Sequence, residues 1–269
     1  MSPHDPRPDP HPALRGHVVS LTAYDVDLGG PGVHRGLPGT TLTLVLPVGE
    51  PLDVGWSGDD ASRAARWGTL AGLHTGPAAI HHLGHQAGVQ LELTVTGART
   101  LLGAPAASLA GTIVDLEDAA PALRHLPERL AAAPAASRRA VVERALLGVL
   151  RDRPSLPRAE VAWALRQLRR GAGVGAVAAE VGLSRRHLGT LVRRECGVSA
   201  RDLRRLGRFE QARALVGRIP LAEAAYRSGF ADQAHLSREW SALAGCTPST
   251  WLREEFPFVQ DRDADSVPG

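Results

Sequence analysis

The sequence predicts an α+β protein with a β-rich N-terminal half, a helical connector and an all-α C-terminal third made of two copies of one helical unit. Three observations carry that expectation. Short apolar runs separated by Gly and Pro fill the first hundred residues; after Gly97 the texture turns to Ala, Leu and Arg at helical spacing; and the last hundred residues repeat themselves.

At 269 residues, 43% hydrophobic and 22% charged, the chain can build one large core or two ordinary ones, and two domains are expected. No apolar run approaches the roughly 20 uncharged residues of a membrane-spanning helix. Met1 to Pro12 is Pro, His and Asp rather than a basic-then-apolar signal, so a cytoplasmic protein without membrane contact is expected. Two cysteines, Cys196 and Cys246, are too few for a disulfide framework and lack zinc-site spacing. No cofactor or metal is expected.

Along the chain, residues 1–13 read as a disordered arm. Residues 14–112 form the β-rich domain, with apolar runs at His17 to Tyr24, Thr41 to Val48, Ile80 to Leu83 and Val89 to Thr96. Strict alternation from Gly88 to Thr96 predicts a half-buried strand. Helical spacing appears in Arg99 to Leu102, Ala119 to Leu126 and Arg138 to Leu150. A helical connector spans 113–157 and closes on the linker-like Arg151 to Pro157. The helical domain covers 158–255, and an acidic tail follows at 256–269.

Charge is placed unevenly. All 31 basic residues are Arg, a bias that a GC-rich genome also produces. Between Arg151 and Arg253 there are 19 Arg against 9 carboxylates, so this segment carries +10 in a chain whose total is +3. The last third is the electropositive module.

The repeat fixes the architecture of that module. Val177 to Leu183 aligns with Ala224 to Phe230, and His187-Leu188 with His235-Leu236, one residue having entered the turn. Gly197-Val-Ser199 then meets Gly245-Cys-Thr247. Each copy reads as a short helix, a Gly turn and a second helix capped by Ser184 or Asp232: a helix-turn-helix. Gly182 and Gly229 end the first helix of each copy in a left-handed conformation. Leu183, Leu188 and Val192, and Phe230, Leu236 and Trp240, face the small cores. Between the copies, Ser199 to Val216 carries an apolar stripe (Leu203, Leu206, Phe209, Ala212, Val216) and a basic one (Arg201, Arg204, Arg205, Arg208). A helix of that size, roughly 27 Å, is a spacer able to hold two recognition helices near the 34 Å or so that separates successive major-groove faces.

Residues 159–253 resemble the DNA-binding domain of the AraC/XylS family of transcription regulators. The resemblance rests on Arg208-Phe-Glu-Gln-Ala-Arg-Ala-Leu215 as linker helix, and on Ala224 to Trp240 followed by Ala244 to Arg253 as the second-copy signature. Leu236 and Trp240 stand where the family has Phe, and Ser241 where a basic residue is usual. Thr247-Pro248 supplies an N-cap followed by Pro at the first helical position. The resemblance implies double-stranded DNA as partner and an N-terminal domain, often a cupin-like barrel, that senses a small-molecule effector or dimerises. RNA polymerase and a second copy of the chain are further partners of such a protein.

Exposure at the start of each second helix selects the DNA-reading side chains. Arg185, Arg186, Thr190, Gln233 and Arg238 are the expected base readers, with Arg186 to guanine and Gln233 to adenine as the leading pair. Arg193, Arg194, Arg201 and Arg204 are expected on phosphates. His187 and His235 precede buried leucines and suit packing or a helix-end hydrogen bond.

Enzyme-like strings have structural readings. Gly171 to Ala176 matches G-x-G-x-x-A but follows a helical segment instead of a strand, and Gly55 to Asp59 lacks nucleophile-elbow spacing. His74, His81, His82 and His85 form the one cluster with ligand potential, without a carboxylate to complete it. They would serve the alternative, a cupin-type metalloenzyme fused to a DNA reader. A fused DNA-repair methyltransferase needs a nucleophilic Cys before Cys196, and none exists. Cys196 and Cys246 read as small core residues rather than a redox switch.

Overall fold

A computed structural model describes residues 9–152 and 159–255. The first eight residues of the expected arm, linker residues 153–157 and the acidic tail lie outside the described residues. The end of the arm is held: Leu14 is fully buried, the Arg139 guanidinium donates to the Asp9 carbonyl at 2.9 Å, and the His11 amide donates to Glu143 at 3.1 Å.

Among the described residues nine strands form the N-terminal half: β1 (Val18–Asp27), β2 (Gly32–Gly36), β3 (Leu42–Val48), β4 (Leu52–Trp56), β5 (Ala64–Arg66), β6 (Thr69–Ala71), β7 (Ala78–His82), β8 (His85–Leu93) and β9 (Ile113–Asp115). They make a five-stranded sheet ordered β1-β8-β3-β6-β9 and a four-stranded sheet ordered β2-β7-β4-β5, with antiparallel neighbours throughout. The alternating segment is β8. Its Leu91 lies opposite Leu21 of β1 and Leu44 of β3, and all three are buried. The strand stops at Leu93 because the Thr94 hydroxyl accepts from the Gly97 amide at 2.8 Å and caps a helical turn, α1 (Val95–Gly97), that runs into a π-helical turn over Ala98–Leu102.

The connector is more broken than its spacing suggests. Helix α2 (Leu116–Ala119) ends and α3 (Leu126–Ala131) begins at the two limits of the expected helical run Ala119 to Leu126, which is broken between them, while α4 (Arg138–Asp152) covers the expected run Arg138 to Leu150. Ala120 sits at φ −144°, as a residue before proline prefers, and Pro121 starts a short 3₁₀ turn instead.

The described residues of the C-terminal half are helical apart from their turns: α5 (Ala159–Arg169), α6 (Val174–Glu180), α7 (Arg185–Cys196), α8 (Ala200–Leu215), α9 (Leu221–Arg227), α10 (Gln233–Ala244) and α11 (Pro248–Glu255). Helix α8 has 16 residues, about 24 Å at 1.5 Å per residue. Its start is fixed by Ser199, whose hydroxyl accepts from the Asp202 amide at 3.1 Å and donates to the Asp202 carboxylate at 2.6 Å.

Of three apolar clusters among the described residues, one (Leu52, Val54 and Ala78) stays within the four-stranded sheet and two reach the helical half. One runs without a break from Leu44 and Leu91 through Val142 and Leu146 of α4 to Leu188, Val192, Cys196 and Leu203 in the first helical unit. The other belongs to the second unit, from Leu206 and Phe209 of α8 to Leu236, Trp240 and Leu243 of α10. Trp240 is its centre, fully buried, with the Phe209 ring at 4.9 Å edge-on and the Trp251 ring at 5.1 Å. Here the indole stands where the resemblance has Phe, and its Nε1 is buried without a hydrogen-bond partner among the described residues.

Trp240→Ala is therefore expected to cost about 3–5 kcal/mol in chemical denaturation of the second unit, from lost burial plus a cavity. Trp240→Phe keeps most of the packing and deletes an unsatisfied N–H, so it should cost much less. Equal losses for the two variants would contradict the packing described.

Candidate nucleic-acid interface

Both turns close with the same hydrogen bonds. In the first unit Gly182 and Leu183 amides donate to the Ala179 and Ala178 carbonyls at 3.1 and 2.8 Å; in the second, Gly229 and Phe230 donate to Tyr226 and Ala225 at 3.1 and 2.9 Å. Each is a Schellman motif with the glycine left-handed, at φ 66° and 73°. The following helix is capped three residues ahead in each case, Ser184 accepting from the His187 amide at 3.1 Å and Asp232 from the His235 amide at 2.6 Å. The internal repeat is thus a repeat of cap chemistry.

The N-terminal ends of α7 and α10 are exposed. Arg186, Thr190, Gln233 and Arg238 are exposed, as are Arg193, Arg194 and Arg201. The Thr190 hydroxyl donates to the Arg186 carbonyl at 3.1 Å. Arg185 is also exposed, but its guanidinium folds over α6, where a Cβ on Gly175 would lie 2.8 Å from it. Arg204 is half-buried and donates through Nε to the Gly171 carbonyl at 2.8 Å, tying α8 to the end of α5. His235 accepts from the Ala231 amide at 3.4 Å and packs edge-on against Phe230 at 5.4 Å, while His187 is exposed.

Sequence reasoning placed Arg205 and Arg208 on a basic stripe without a task. Arg205 pairs with Glu239 of α10. The Arg208 guanidinium lies 4.7 Å from the Phe230 ring centre and donates to the Gly229 carbonyl at 3.1 Å, joining α8 to the second turn. With Arg201, Arg204 and His235 these side chains line a groove of about 600 Å³. Burial, together with the like charges of Arg204, Arg205 and Arg201, pulls Arg208 below the usual arginine range, with Glu239 opposing. The Asp202 and Glu239 carboxylates line the same groove.

The opposite, C-terminal ends of the recognition helices rest on the N-terminal half. Their left-handed caps are Gly197 and Gly245, at φ 76° and 68°. A Cβ on Gly197 would come 2.3 Å from the Ala110 methyl, and one on Gly245 would come 3.0 Å from the Pro77 ring. Polar contacts reinforce the seat. Glu210 of α8 accepts from the Thr40 amide at 2.7 Å and its hydroxyl at 2.8 Å, and Arg169 of α5 donates to the same hydroxyl at 2.9 Å. Arg35 makes a two-pronged ion pair with Glu254 of α11 at 2.8 and 3.2 Å, and Arg99 pairs with Glu195 of α7 at 2.9 Å.

The four flagged histidines do not converge. His81, His82 and His85 border a cavity of about 310 Å³ with Tyr24 and Glu50, whereas His74 lies tilted against the Trp56 ring elsewhere. Among the described residues no three His, Cys, Asp or Glu side chains gather at metal-binding distance. His34, not singled out from sequence, packs 5.5 Å from His82. Burial first, then the His82 charge, lowers its pKa to about 4. Cys196 is fully buried, and burial, aided by the Glu195 charge and opposed by Arg169, raises its thiol to about 12; burial also raises Cys246. Neither thiol is poised as a thiolate.

Two capped helix-turn-helix units on one rod, with exposed starts and C-terminal caps seated against the N-terminal half, define a double helix-turn-helix DNA-binding domain. The family model described as "Helix-turn-helix domain" matches residues 177–254, and the domain is of the AraC/XylS type. No curated protein matches the chain. Among solved structures, ToxT from Vibrio cholerae O395 is similar over 87% of this chain and 96% of its own, at 12% identity and TM-score 0.49. The C-terminal domain of AraT, a response regulator from Geobacillus stearothermophilus, is similar over 36% of this chain and 86% of its own, at 23% identity and TM-score 0.34. The DNA-binding domain of AdpA, a global transcriptional factor solved with a target DNA, is similar over 36% and 90%, at 26% identity and TM-score 0.32. No helix among the described residues is long and apolar enough to cross a membrane.

Two outcomes follow from this geometry. Gly182→Ala meets nothing within 4 Å and should cost only the left-handed penalty, about 1 kcal/mol, whereas Gly197→Ala adds a clash with Ala110 and should lower thermal stability further. Equal melting shifts would contradict the seat. For His34, the folded state holds the ring neutral, so below the ordinary value of 6.5 the unfolded chain binds more protons. Its contribution is present above pH 6.5 and is lost as pH falls toward 4. His34→Gln should flatten the stability profile across that window, and an unchanged profile would rule the histidine out.

Proposed function

We propose that this chain is a sequence-specific DNA-binding transcription regulator in which one monomer reads two adjacent major-groove segments, under control of a small molecule received through the N-terminal half. One observation carries the reading: the two units share their cap geometry on a single rod, with the N-terminal ends of both α7 and α10 exposed and their C-terminal ends seated. A helix N-terminus presented this way enters the major groove in helix-turn-helix proteins.

In this reading Arg186 and Gln233 are the principal base readers, with Arg185, Thr190 and Arg238 beside them. Arg193, Arg194 and Arg201 grip phosphates, joined by the guanidinium nitrogens of Arg204 that its bond to Gly171 leaves over. Arg and Gln suit bidentate pairing to guanine and adenine, and phosphate contacts set register without specifying sequence. The chain performs no catalysis; RNA polymerase and a second copy of the chain are its further partners. The polar demands of the second copy are lighter, since α10 offers one exposed Arg near its start where α7 offers two. The first unit therefore supplies more of the charge-dependent affinity.

Fluorescence anisotropy on a selected site and on random DNA tests the assignment. Arg186→Ala is expected to cost about 1–3 kcal/mol on the selected site alone, while Arg201→Ala weakens both and lowers the salt slope by about one. Equal losses on the two DNAs for Arg186→Ala would remove it from the base-reading set.

A further inference from the structure

A cleft of about 450 Å³ lies where the N-terminal half meets the first recognition helix. Its walls are Trp56 and Ser57 at the end of β4, Leu73 to Pro77 after β6, the Ala110-Gly111 turn, and Gly197-Val198 behind α7. Backbone bonds pin these loops together: the Gly111 amide to the Leu73 carbonyl at 2.8 Å, Gly72 to Thr112 at 3.0 Å, and Ser57 to Pro77 at 3.1 Å. The cleft is a built feature rather than a gap between loose segments.

Its chemistry is narrow. Among the described residues no Asp, Glu, Arg or Lys lines it, so an ionic ligand would surrender hydration with no counter-charge in return. The Trp56 ring lies 4.7 Å from the His74 ring at a 54° tilt, with Leu73, Pro77 and Val198 nearby as apolar wall. His74 Nδ1 lies 2.6 Å from the Gly76 carbonyl oxygen, which only accepts. The proton therefore resides on Nδ1, and Nε2 is an acceptor with no partner among the described residues. The volume falls within the range of small-molecule sites, roughly 300–1,000 Å³.

Its position is equally specific. Two lining residues, Ala110 and Pro77, are the groups on which the left-handed caps of α7 and α10 rest. A molecule that displaces either wall re-seats a recognition helix, provided it binds the displaced arrangement more tightly.

We propose that this cleft binds a neutral aromatic molecule with one hydrogen-bond donor, stacked on Trp56 and donating to His74 Nε2, and that its occupancy changes DNA affinity. The proposal rests on reading the chain as an effector-controlled regulator. Indole is the probe, titrated calorimetrically into the full chain. Saturable one-to-one binding is expected, weakened at least tenfold by Trp56→Ala. 1-Methylindole, which lacks the donor, should bind about five- to tenfold more weakly than indole to the natural chain. His74→Phe should erase that difference, and indole-3-acetate, an anion, should not bind. Saturating indole should shift DNA affinity at least about fivefold.

Absence of indole binding, binding undiminished in Trp56→Ala, or equal affinity for 1-methylindole would overturn the site; the last comparison needs no variant to fold. Unchanged DNA affinity at saturation would overturn the coupling. DNA binding by the unliganded chain is read in parallel, and its failure would sink the regulator reading while the indole comparison still decides the cleft.

Discussion

Everything in the C-terminal half depends on α8 being one rigid rod that belongs to two cores. Leu203, near its start, is buried in the cluster that reaches back through α4 into the sheets, while Leu206, Phe209 and Ala212, from one turn further on, are buried in the second unit. A helix anchored by fully buried side chains at both ends neither slides nor rotates without exposing them, at a cost of about 1.5–3 kcal/mol for each large apolar group. The separation and relative rotation of α7 and α10 are therefore set by the registry of apolar residues along 16 positions. Polar ties work on the same rod: Arg204 to Gly171 on one side, Arg205 to Glu239 and Arg208 to the second turn on the other.

The two units are not attached to the N-terminal half in the same way. The first shares its apolar cluster with the sheets, so separating them exposes a continuous core. The second has its own core and meets the N-terminal half mainly through Leu37, the Thr40–Glu210 bonds, the Arg35–Glu254 pair and the contact of Gly245 with Pro77. Partly exposed ion pairs of this kind hold weakly. The seat of the second unit is therefore the weaker of the two.

How much was legible in the sequence follows from the range of each interaction. The helix-turn-helix pair was readable because its determinants are local: Gly182 and Gly229 at left-handed positions, Ser184 and Asp232 three residues ahead of the amides they cap, and apolar side chains at helical spacing. The buried Trp240 and Cys196 followed from the same spacing. Strand β8 was readable from its alternation, although its end was set by a cap at Thr94 that a run of alternating residues conceals. Strands β5, β6 and β9 have three residues each, too few to show a period, and β2 and β4 carry Gly within five. The contacts that seat the DNA-binding half, such as Thr40 with Glu210 across 170 positions, leave no local trace. Arg204 stands on the basic stripe that suggests a phosphate clamp; its neighbour Gly171 comes close only once α5 and α8 pack.

The most direct measurement of the central claim is hydroxyl-radical footprinting of the full chain on a site selected from random DNA. Two recognition helices fixed on one rod predict two protected segments about 10 base pairs apart on one face of the duplex for each bound monomer. A single protected segment per monomer, or two whose spacing varies between selected sites, would contradict a rigid α8 as the element that sets DNA reading.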